Sequence, residues 1–159
     1  MTRISANDVY AAEASFEFSL NNRHLYPTAV VFGSTINIPD QRRFGQIDHV
    51  RAYVRFALAH PTIRQLFPER AMVPVTVRPR KGQAKAHYEE RTSTIALPDN
   101  EFGLCEVTVL HELAHHLAPG HAHDIHFIRA FDSLVEGLMG PEAVLLYRDC
   151  VANLTARVN

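Results

Sequence analysis

The chain has 159 residues, a length that suits one hydrophobic core, and its 47% apolar and 21% charged residues are ordinary for a soluble globular protein. Sixteen Lys and Arg against seventeen Asp and Glu leave a formal net charge of −1, which supplies no electrostatic footprint for nucleic acid or an anionic membrane. No apolar run reaches the roughly 18 residues of a membrane span, and the opening residues lack the apolar stretch of a secretory signal. The two cysteines, Cys105 and Cys150, make no disulfide framework. Both are expected as buried thiols in a reducing cytoplasm.

In chain order, Asn7 to Leu20 reads as a helix with Val9, Phe16 and Leu20 on one side. "TAVVFGSTINIP" reads as a hairpin turning at Gly33-Ser34. Ile47, Val50, Val54 and Leu58 keep helical spacing until Pro61 ends it. Val73, Val75 and Val77 alternate in a strand over Val73–Pro79, and "RPRKGQAK" after it reads as a solvated turn. "TSTIALP", Thr92 to Pro98, is the next strand.

Three helices close the chain: about Gly103 to Leu117, about Asp124 to Met139, and one opened by Gly140-Pro141 that carries Val144, Tyr147, Val151, Leu154 and Val158. Ile128, Phe131, Leu134, Val135 and Leu138 face inward on the second, with Ile125 and Phe127 helping to anchor it. With no repeat or low-complexity tract, the expectation is a single α+β domain over residues 1–159.

Six of the ten histidines fall between Val109 and Phe127, in "VLHELAHHLAPGHAHDIHF". At about 100° per residue, His111 and His115 lie roughly 40° apart on one helix face, one turn from each other. Glu112 lies beside them, while Leu110, Leu113, Ala114 and Leu117 cover the opposite side. This is the H-E-x-x-H arrangement, in which two histidines bind zinc and the glutamate acts as general base. His116 falls between ligand face and core and reads as surface; His24, His49 and His60 read as ordinary side chains.

A catalytic zinc takes three protein ligands and keeps one position for water, so a third ligand is needed. His121 has the spacing of the longer H-E-x-x-H-x-x-G-x-x-H pattern, but Ala118 stands where that pattern has glycine. His123 opens "HDIHF" at the head of the next helix, from which its ring can turn back to the cleft. His126, a turn further on, is the remaining candidate, or else stands with Asp124 beside the ligands rather than on the ion. His123 is the first choice and His121 the alternative.

"VTVLHELAHHL" followed by "HDIHF" resembles the zincin superfamily, most closely its small SprT- and WLM-type metalloproteases. With "VYAAE" near the start and "AHYEERTSTIALP" ahead of the active helix, nearly the whole chain is similar to a family of small metallohydrolases from actinobacteria and their phages. The resemblance implies a zincin-like fold, His111, His115 and His123 as zinc ligands, and Glu112 as the catalytic residue. The spacer from His115 to His123 is two residues off the WLM spacing, and the four-cysteine zinc ribbon of SprT is absent.

The expected chemistry is zinc-assisted hydrolysis, most naturally of peptide bonds, with "TSTIALP" as an edge strand on which an extended peptide pairs. His87 and Tyr88 are candidates to hydrogen-bond the transition-state oxyanion. The competing expectation is a catalytically inactive zinc-binding module of regulatory or interaction function. A third, a DNA-linked protease, is disfavoured by the neutral charge.

Overall fold

The computed structural model describes residues 4–82, 85–101 and 103–156. In chain order its elements are α1 (Ala6–Asn21), β1 (Thr28–Val31), β2 (Ser34–Asn37), α2 (Ile47–Ala59), α3 (Pro61–Leu66), a 3-10 turn (Arg70–Met72), β3 (Thr76–Pro79), β4 (His87–Glu89), β5 (Thr94–Leu97), α4 (Glu106–Leu117), α5 (Ile125–Met139) and α6 (Pro141–Ala156). The fold is α+β, as the patterning implied. Packing divides it into two compact units, one formed by residues 1–41 and 122–159, the other by residues 42–121.

In the discontinuous unit, α1 starts at a capping box. The Ser5 hydroxyl accepts from the Asp8 amide at 3.2 Å while the Asp8 carboxylate accepts from the Ser5 amide at 2.9 Å. Val9, Ala12, Phe16 and Leu20 are its buried stripe, and α1 and α5 both pack on α6. The core is aromatic: the Tyr147 ring meets Phe131 edge-on at 4.8 Å and Phe16 at 5.6 Å, geometries that suit ring quadrupoles. The hairpin turns at Phe32-Gly33, one residue earlier than expected. Both residues have positive φ (47° and 81°), the conformation a two-residue type I′ turn requires.

Gly140, at φ 99°, ends α5, and Pro141 opens α6 as anticipated. Val144 and Tyr147 are buried and Val151 and Leu154 half-buried; Val158 lies outside the described residues. Ile125 is 43% exposed, so at the start of α5 the buried contacts come from Phe127 and Ile128, with Phe131, Leu134, Val135 and Leu138 buried further along.

In the continuous unit, α2 buries Ile47, Val50, Val54 and Leu58. Pro61 does more than end that pattern. It is the first residue of α3, whose Thr62 amide is capped by the His60 ring at 3.2 Å. β3 begins only at Thr76, since Pro74 has no amide to give a ladder. The sheet order is β3-β5-β4, with β5 parallel to β3 and antiparallel to β4. This corrects the expectation for "TSTIALP": β5 is the central strand, paired on both sides and wholly buried. The edges are β3 and β4, the latter a strand the sequence did not announce.

Between β5 and α4 the chain doubles back so tightly that a Cβ on Gly103 would meet the Pro98 carbonyl oxygen at 2.1 Å. That loop holds residues 103–105 out of the helix and delays α4 to Glu106. Cys105 is buried, as expected, and Cys150 is half-exposed; both are free thiols.

Candidate metal centre

Helix α4 carries the "HELAH" segment, and both of its ends are fixed by side chains of its own unit. At the start, Glu106 is only 1% exposed. Its carboxylate accepts from the Arg42 amide at 3.0 Å, from the Arg42 guanidinium at 2.6 Å and from the Tyr53 hydroxyl. The Glu106 amide in turn donates to the Arg42 carbonyl at 2.9 Å. An acid in the first turn also suits the partial positive charge of a helix N-terminus.

At the other end the structure corrects the reading of His116, which is not on the surface but fully buried. Its Nε2 lies 2.9 Å from the Arg70 carbonyl, so Nε2 carries the proton and donates. Nδ1 is then the acceptor, receiving the Tyr88 hydroxyl at 2.8 Å and an Arg70 N–H at 3.1 Å. Arg70 Nε also donates to the His116 carbonyl at 2.8 Å, taking up one of the carbonyls a helix end leaves over. Tyr88, a candidate for the oxyanion, therefore points its hydroxyl at His116. His87 is exposed. The signal for His116 was present in the sequence: at seven residues from Val109 it falls about 20° from that buried position on the same helix.

Burial first, and the Arg70 guanidinium second, lower the His116 pKa to about 4. Above about pH 6.5 the ring is neutral folded and unfolded and adds no pH dependence. As pH falls from there to about 4, the unfolded chain takes up the proton first, so stability declines by up to about 3 kcal/mol. Ring-nitrogen NMR shifts should therefore report a neutral Nε2–H imidazole at His116 still at pH 5; a ring protonated by pH 6 would contradict this placement.

Between these anchors, α4 buries Leu110, Leu113, Ala114 and Leu117 on one face, as its periodicity required. On the other face the His111 and His115 rings stand 5.0 Å apart at 73°, both half-buried, with Glu112 between them in sequence and only 6% exposed. Among the histidines that follow, His123 is half-buried, its ring 4.5 Å from that of Tyr10 and 4.9 Å from that of Phe127. His121 and His126 are exposed. Asp124 caps α5, its carboxylate accepting from the amides of His126 at 2.9 Å and Phe127 at 3.2 Å.

One ligand atom each from His111, His115 and His123 can be chosen so that all lie within 4.8 Å of one another. Three histidines that close can hold a metal ion. Among the described residues no other three His, Cys, Asp or Glu side chains come together in this way. The donor set fits: neutral imidazoles suit zinc and its first-row neighbours, whereas calcium and magnesium want oxygen.

No family model matches the chain, and neither does any curated protein or solved structure.

Proposed function

We propose that the protein is a zinc-dependent hydrolase acting on peptide bonds, with His111, His115 and His123 holding the metal and Glu112 as general base. The observation that carries this reading is the convergence of the three imidazoles, with buried Glu112 on the same helix as two of them. A purely structural site gains nothing from a glutamate next to its ligands, and a closed site would need a fourth protein ligand. His121, the alternative third ligand, is exposed, whereas the His123 ring is already held between Tyr10 and Phe127; this favours His123.

Bound to three imidazoles, zinc would lower the pKa of water from about 15.7 toward about 7 and stabilise negative charge developing on a carbonyl oxygen. Glu112 takes the proton of the attacking water, and the same carboxyl later returns it to the leaving amine. One residue past His111 and three before His115, Glu112 falls on the flank of the helix face that carries both, about 60° from His115. Tyr88 has no part in this scheme, because its hydroxyl is committed to His116.

Peptide is favoured over other hydrolysable groups by β4. That strand packs against α4 and, among the described residues, pairs only with β5, so its other edge can take an extended guest strand. The test is cleavage of a mixed-sequence peptide library by the zinc-loaded chain. Chelator-sensitive cuts within extended, β-compatible segments are expected; a zinc-loaded chain that cuts no peptide would contradict the peptidase assignment.

A further inference from the structure

The trio formed by fully buried His116 with half-buried Arg70 and Tyr88 lies outside the chemistry above, yet its position is particular. His115, a ligand in the proposed metal site, is in the last turn of α4, two residues from its end at Leu117. Last turns fray, because their carbonyls lack intrahelical partners and their opening costs little free energy. Here the residue directly after His115 is bound through both backbone and ring: its carbonyl by Arg70 Nε, its Nε2–H by the Arg70 carbonyl, its Nδ1 by the Tyr88 hydroxyl. Arg70 opens the 3-10 turn and Tyr88 is in the middle of β4, so three separate elements meet at one ring.

We propose that Arg70, His116 and Tyr88 are positioning residues for the metal centre, clamping the final turn of α4 so that His115 is held in ligand geometry before any metal arrives. The inference rests on the reading of His111, His115 and His123 as metal ligands. A fixed ligand gives up less freedom on binding than a fraying one; contacts made to the ligands themselves alter metal affinity by about 10- to 100-fold when removed, and a clamp on the neighbouring residue belongs at the lower end of that range. Arg70 contributes most, since it bonds the His116 carbonyl, receives the Nε2 proton and shares Nδ1. Tyr88 contributes one of the two donors to Nδ1 and is partly replaceable by Arg70.

The experiment is titration of the full metal-free chain with Co(II), following the visible absorption of the bound ion, at a temperature where every variant is folded. Arg70→Met keeps the apolar stem and removes the guanidinium; Tyr88→Phe removes only the hydroxyl; Arg55→Met, an exposed arginine of α2, is the control. Expected is a loss of Co(II) affinity on the order of 10-fold in Arg70→Met, with a weakened absorption band, and a loss of about 3-fold in Tyr88→Phe. Arg55→Met should match the wild type. Should Arg70→Met not fold, Tyr88→Phe decides, together with amide exchange at Ala118, whose N–H closes the last turn onto the Ala114 carbonyl and should exchange faster in that variant. A folded Arg70→Met or Tyr88→Phe with wild-type affinity, spectrum and exchange would overturn the clamp and leave the metal reading standing. A wild-type chain that binds no Co(II) would overturn both.

Discussion

Glu112→Gln should keep its metal and lose its turnover. The substitution preserves length and volume on a side chain that is 6% exposed, and it leaves the imidazoles of His111 and His115 in place. An amide cannot accept the proton of the attacking water at neutral pH, so the general-base contribution, about 10²- to 10⁴-fold, is what disappears. The expected pattern is unchanged zinc stoichiometry and thermal unfolding, with kcat down by at least about 10²-fold on whichever peptide the wild type cleaves. Wild-type turnover by the variant would remove Glu112 from the mechanism.

The largest expected effect on stability comes from Glu106→Gln, at the opposite end of the same helix. The carboxylate is buried and accepts from the Arg42 backbone, the Arg42 guanidinium and the Tyr53 hydroxyl. A glutamine keeps one acceptor and turns two N–H donors on groups that are themselves donors. Breaking a buried ion pair from one side typically costs about 3–5 kcal/mol. The Arg42 side chain is 56% exposed and can recover water, so about 2–4 kcal/mol is expected. For a chain of this size that lowers Tm by about 4–16 °C. Tyr53→Phe alone removes a single donor and should cost only about 1 kcal/mol. Thermal unfolding followed by circular dichroism measures both; a Glu106→Gln chain as stable as wild type would contradict the geometry assigned to this anchor.

How far the sequence could be read depended on whether the deciding interactions were local. Helix α4 was legible because angle alone separates His111 and His115 from Leu110, Leu113 and Leu117, and burial follows that angle. The stop at Gly140 was legible for the same reason: a left-handed residue next to a proline is a local event. Strand order was not. Thr94–Leu97 looks like any apolar strand, and only pairing with β3 and β4, residues distant in sequence, makes it central.

β4 escaped notice because His87, Tyr88 and Glu89 are too few and too polar to show a period; β5 and α4 make them a strand. The start of α4 was set by a tight approach of Gly103 to Pro98, which propensity does not see. His116 failed differently. Its angle near Val109 hinted at burial, but nothing local could supply Arg70 and Tyr88, without which a buried imidazole would be unpaired and costly. Of the three later histidines, spacing left the choice of ligand open. Only the folded chain shows which of them brings a ring nitrogen close to those of His111 and His115, and that is His123.

The central claim is a metal held by two histidines one turn apart and a third from the segment that follows. Elemental analysis of the natively purified chain, beside His111→Ala and His123→Ala, tests it most directly. About one zinc per wild-type chain, lost from both variants while they remain folded, is the result this account predicts. A wild-type chain that is metal-free and takes up no zinc on titration, or a His123→Ala variant that binds it undiminished, would contradict it.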